Sequence, residues 1–88
     1  MIRRRVVVHG HVQGVFFRDS LRRQAVNAGV SGWARNMRDG TVEAVFEGEP
    51  DAVERLVAFC HDGPGGARVE RVEVMDEEAE EISGFAIR

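Results

Sequence analysis

The stretch Ile2–His9 is rich in β-branched residues and stops at Gly10, and an amphipathic helical pattern begins one short loop later. No other feature constrains the fold as much. A strand, a helix and then a second strand joined in this way form a crossover whose two strands run in the same direction. Val6, Val7 and Val8 run without alternation, as expected for a strand with little solvent on either face. The helix is predicted from Phe16 or Phe17 to Ala28, because Phe17, Leu21, Ala25 and Ala28 fall on one apolar face. Gly29 follows where a left-handed cap is favoured.

The rest of the chain repeats this plan. Val30–Met37 reads as a second strand, and Asp39-Gly40 is a turn signal leading into a third, Thr41–Glu47. In that strand Val42, Ala44 and Phe46 alternate with Glu43 and Glu47. Gly48-Glu49-Pro50 opens a second helix with the apolar face Val53, Leu56, Val57 and Cys60. The loop Gly63-Pro64-Gly65-Gly66 ends it. A fourth strand is predicted over Arg68–Met75, with Val72 and Val74 on one side and Arg71 and Glu73 on the other. Asp76–Glu81 reads as a solvated acidic connector, and Phe85 and Ile87 alternate in a short terminal strand. The order β-α-β-β-α-β implies an α+β, ferredoxin-like (split βαβ) fold. An antiparallel sheet carries both helices on one face, with a short C-terminal edge strand. A chain of 88 residues has room for one core, so residues 1–88 are expected to form a single domain.

Composition narrows the function. Residues 1–38 hold eight arginines against one acid, Asp19, and residues 39–88 hold four against fourteen acids. The total of −3 argues against a nucleic-acid partner, while the basic first half suits a small anionic ligand. Cys60, alone, cannot close an intramolecular disulfide, which fits a reducing compartment. The basic stretch Arg3-Arg4-Arg5 is followed by three valines, too short for a secretory signal or a membrane span. A cytoplasmic monomer that begins at its natural start and has no membrane partner is therefore expected.

Chemistry concentrates where the two parallel strands end. The loop after the first strand carries Gly10 and Gly14, which allow main-chain N–H groups to turn inward, and the helix start adds unpaired donors and partial positive charge. Arg18 in the first helical turn can return its guanidinium over that cradle. By local features alone a surface arginine is the commoner outcome. Asn36, near the end of the second strand, can both donate to and accept from a water molecule. By the same standard it also fits an asparagine placed for the turn before Asp39-Gly40. No His, Cys, Asp and Glu cluster has metal-ligand spacing, and there is no lysine for a Walker-type loop. No metal or other cofactor is expected.

Gly10-His11-Val12-Gln13-Gly14-Val15-Phe16-Phe17-Arg18 resembles the first signature of the acylphosphatase family. Gly32-Trp33-Ala34-Arg35-Asn36, with Gly40, Val42 and Gly48, resembles the second. The Ala67-Arg68-Val69 run and the ending Gly84-Phe85-Ala86-Ile87-Arg88 also fit, although the terminal tyrosine of some members is missing. The resemblance implies hydrolysis of small acyl phosphates to a carboxylate and inorganic phosphate. It makes Arg18 the phosphate-binding arginine and Asn36 the residue that positions water. It makes His11, Val12, Gln13, Gly14, Val15, Phe16 and Phe17 the substrate-binding loop. His11 fills a variable position of the signature, where a surface role fits better, and Trp33 is expected in the core or packed on the sheet.

Three rival readings use the same fold. A non-catalytic anion- or metabolite-binding module needs the loop and Arg18 but has no use for a water-orienting amide. An RNA binder of this architecture presents aromatic residues on its strands, and this chain has no tyrosine. A carbamoyl-phosphate-handling domain of a larger maturation protein is disfavoured by the short chain.

Overall fold

A computed structural model describes all residues, 1–88. Strands β1 (Ile2–His11), β2 (Ser31–Asn36), β3 (Val42–Gly48), β4 (Arg68–Glu77) and β5 (Phe85–Ile87) form one sheet in the order β4-β1-β3-β2-β5. Helices α1 (Phe17–Ala28) and α2 (Pro50–Asp62) pack on the same face, α1 over β2, β3 and β5, and α2 over β1, β3 and β4. β3 is antiparallel to both β1 and β2, so those two strands share a direction and end at one edge of the sheet. The four longer strands pair antiparallel as expected, while β5 lies parallel to β2 and makes the whole sheet mixed. The ferredoxin-like arrangement expected from the pattern is the one observed.

The helical patterns act as read. Phe17, Leu21 and Ala25 of α1 are buried, as are Ala52, Val53, Leu56, Val57 and Cys60 of α2. They meet Val6 and Val8 of β1 and Val42, Ala44 and Phe46 of β3 in a continuous core. Each large side chain fully removed from water there, such as Phe46 or Leu21, contributes about 1.5–3 kcal/mol. Gly29 closes α1 in the left-handed conformation, φ 70°, with its N–H returned to Ala25 and Val26 carbonyls.

Three expectations are corrected. β1 does not stop at Gly10 but runs to His11, because a bulge between His9 and Gly10 lets it keep pairing with β4. Gly10, at φ 129°, lies so close to the Arg68 carbonyl that a Cβ would collide with it. Val7 is only half-buried, since the sheet has one face free of helices. Glu43 and Glu47, on the face opposite Val42, Ala44 and Phe46, are both buried, a burial that alternation does not reveal. The Asp76–Glu81 run is also not a plain connector: Asp76 and Glu77 belong to β4, and the backbone from Glu80 to Ile82 closes over Glu47 of β3.

The reason is an arginine–glutamate ladder on the helix-free face. Arg35 and Arg5 both donate to Glu43, Arg5 and Arg3 to Glu77, and Arg3 to Glu47. Glu47 also accepts the main-chain N–H groups of Glu80 and Ile82, at 2.8 and 3.1 Å. Trp33 lies on this face, flanked by the guanidinium groups of Arg88, Arg35 and Arg5 at 4.5, 5.2 and 5.5 Å from its ring. It packs on the sheet, away from the helix-side core.

Burial raises the Glu47 carboxyl, but the N–H groups of Glu80 and Ile82 and the Arg3 guanidinium outweigh it and hold it below the ordinary value. Hydrogen bonds from Arg5 and Arg3 lower Glu77 likewise. Stability from a lowered carboxyl is complete above its ordinary value of 4.5 and is lost as pH falls through the folded value. The thermal midpoint should therefore fall as pH drops from about 5 to about 3, and Glu47→Ala should flatten that fall. At neutral pH, denaturant unfolding of Glu47→Ala should show a loss of about 3 kcal/mol, because buried Arg3 loses one of its carboxylate partners and the N–H groups of Glu80 and Ile82 lose their acceptor.

Candidate active site

The loop between β1 and α1, Val12–Phe16, leaves the sheet at the edge where β2 also ends. Gly14 at φ 74° and Phe16 at φ 64° are both left-handed, so the loop coils tightly into the first turn of α1. Turns of this kind direct successive N–H groups to one side, making a concavity suited to an anion. None of the main-chain N–H groups from Val12 to Asp19 donates to a main-chain carbonyl. The first helical hydrogen bond comes from Ser20, to Phe16, at 3.0 Å. Phe16 supplies no side-chain cap, so the start of α1 keeps its donors and its partial positive charge.

A cleft of about 230 Å³ opens here, lined by Val12, Gly14, Phe16, Phe17, Arg18, Asp19, Asn36 and Ile87. It is small beside the 300–1,000 Å³ or so of typical ligand pockets, which suits a compact substrate. Arg18 and Asn36, far apart in sequence, share it because the crossover brings the ends of β1 and β2 together. Arg18 makes no ion pair with an acidic side chain; its Nη1 donates to the main-chain carbonyl of Arg88 at 3.0 Å. Most other arginines of the first half are tied to carboxylates. Asn36 is exposed at the end of β2, with no side-chain hydrogen bond committing its amide elsewhere.

The predicted loop residues divide. Val12, Gly14, Phe16 and Phe17 line the cleft. Gln13 turns its amide away to donate to the carbonyls of Met37 and Thr41, at 2.7 and 2.9 Å, and so fastens the loop to the β2–β3 turn. Val15 packs against the core and Gly66 and does not line the cleft. His11 is the last residue of β1, exposed and paired with Arg68, outside the cleft. His9 lies on the helix-free face, 2.7 Å from Glu73.

Two lining residues were not anticipated. Asp19 follows Arg18 in the helix, and its Oδ2 lies 3.2 Å from Arg23 Nη2. Ile87 arrives because β5 adds parallel to β2, a pairing with no local signal. Cys60 is buried in α2, and burial pushes its thiol up to about 12, which rules it out as a nucleophile near neutral pH. No three His, Cys, Asp or Glu side chains lie together in a way that could hold a metal ion. No helix is long and apolar enough to cross a membrane.

The family model described as Acylphosphatase matches residues 4–87. An acylphosphatase of Rubrobacter xylanophilus is 61% identical over 85 residues, covering 96% of this chain and 77% of that one. One from Thermococcus kodakarensis is 52% identical over 86 residues, covering 98% and 94%. The solved structure of an acylphosphatase from Coxiella burnetii superposes with a TM-score of 0.94 at 38% identity, covering 99% of this chain and 92% of that one. A match over nearly the whole sequence, joined to the same fold, establishes that the chain belongs to the acylphosphatase family.

Proposed function

We propose that the protein hydrolyses the carboxyl–phosphate anhydride of acyl phosphates by attack of water on phosphorus. Arg18 and the N–H groups of the Val12–Phe16 loop hold the phosphoryl oxygens, and Asn36 orients the water. The observation that supports this most strongly is the shared cleft: Arg18, which has no acidic side-chain partner, the loop residues Val12, Gly14 and Phe16, whose N–H groups donate to no main-chain carbonyl, and Asn36 with its uncommitted amide all line one small space.

The chemistry asks for little more. A new P–O bond forms from water, the bond between phosphorus and the acyl oxygen breaks, and its electron pair leaves on the carboxylate. The proton released by the attacking water goes to a phosphoryl oxygen of the substrate. Because a carboxylate leaves readily, no strong general acid is needed, and catalysis reduces to positioning and charge stabilisation. Arg18 supplies a fixed, delocalised positive charge with forked donors. Asn36 accepts one hydrogen bond from the water and donates another, which fixes its lone pair in line with the leaving oxygen.

The same reading makes the chain a single-domain monomer working in a reducing cytoplasm. The only cysteine is buried. The β4 edge of the sheet carries Glu70, Arg71, Glu73 and Asp76, and charges of this kind discourage pairing with another chain.

Arg18→Ala and Asn36→Ala should each lower kcat/KM for benzoyl phosphate about 100- to 1,000-fold while the unfolding midpoint stays near that of the parent. Parent activity should persist in excess EDTA. Two folded variants with near-parent activity would remove both residues from the mechanism. Gln13→Ala tests positioning apart from binding. Losing two hydrogen bonds to main-chain carbonyls should cost about 1–2 kcal/mol in unfolding free energy and reduce kcat by about tenfold, since the loop and Asn36 no longer move as one piece.

A further inference from the structure

Phe16 holds a left-handed backbone that the anion loop uses, but the phosphate chemistry does not explain its aromatic side chain. It caps α1 at φ 64°, ψ 28°, a region that suits glycine or asparagine and that a bulky aromatic residue seldom enters. Holding it there costs about 1–3 kcal/mol. The ring recovers little of that by packing, because 78% of the residue is exposed. A single exposed aromatic residue needs no explanation. One held by a strained backbone at the rim of a substrate cleft has no structural return on view. Ile87, 40% exposed, lines the same cleft, and Val12 and Phe17 complete its apolar part.

The cleft therefore joins Arg18 and Asn36 to four apolar side chains, and an acyl phosphate has the same two-part make-up. With the phosphoryl group in the loop, the acyl group extends toward the exposed rim. On the reading that this site hydrolyses acyl phosphates, we infer that the Phe16 ring is the contact for the acyl group and selects aromatic acyl phosphates over acetyl phosphate. Phe16 lines the cleft, and the main chain of the same residue belongs to the anion loop, so one residue bridges both halves of the substrate.

The test is the ratio of kcat/KM for benzoyl phosphate to that for acetyl phosphate, measured for the parent, Phe16→Asn, Phe16→Gly and Phe16→Tyr. Asparagine and glycine accept the left-handed backbone, so both variants should fold. Relative to the parent, the ratio should fall about fivefold in both, the size of one lost aromatic contact, and stay near the parent value in Phe16→Tyr. A ratio unchanged in Phe16→Asn and Phe16→Gly, from enzymes that still turn over acetyl phosphate, overturns the assignment of Phe16 and leaves the hydrolytic reading standing. A parent that hydrolyses neither compound overturns both.

Discussion

The site depends on one side chain that never touches it. The Gln13 amide donates to the carbonyls of Met37 and Thr41 and ties the loop after β1 to the turn after β2. Both carbonyls belong to the turn that follows Asn36, and Met37 also donates its own N–H to Thr41 at 2.8 Å. The crossover brings the two strand ends to one edge of the sheet. The amide then sets their separation. Without such a tie the loop after β1 could shift against the strand end that carries Asn36, and small misplacements of reacting groups cost rate steeply. In this fold the loop after β1 and the turn after β2 are thus fastened to each other by Gln13.

Behind the site, the sheet is secured from its other face by charge. Helices cover only one face of the sheet. The ladder from Arg35 through Glu43, Arg5, Glu77 and Arg3 to Glu47 covers the second, with the strap of chain at Glu80–Ile82 closing over Glu47. Every buried side-chain nitrogen and oxygen finds a partner, which is the condition for a buried polar cluster to hold its shape. The charge asymmetry of the sequence acquires a physical meaning from this. Basic residues of the first strand and acidic ones of β3 and β4 are partners across the sheet. Arg18 has no acidic side-chain partner and donates instead to the main-chain oxygen of Arg88.

Much of this was legible in the residues. Helical faces declared themselves through Phe17, Leu21 and Ala25, and through Val53, Leu56, Val57 and Cys60, because a period of 3.6 has few other causes. That Arg18 and Asn36 lie in one cleft was legible because the crossover puts the two strand ends at one edge. The features that stayed hidden depended on partners far along the chain. Alternation told that Glu43 and Glu47 face away from Phe46 but not that arginines and a strap cover them. The bulge at His9 and Gly10 and the parallel pairing of β5 are properties of two strands at once, so no local pattern announces them. Gln13 read as part of the loop, yet its role depends on carbonyls more than twenty residues away.

The central claim is that water is delivered to phosphorus rather than to the acyl carbon. Hydrolysis of acetyl phosphate in water enriched in ¹⁸O, followed by mass analysis of both products after a single turnover, tests it directly. The account predicts the label in inorganic phosphate, with acetate unlabelled. Label in the acetate would mean attack at the carbonyl carbon, and would contradict the roles given to Asn36 and to the loop that holds the phosphoryl group.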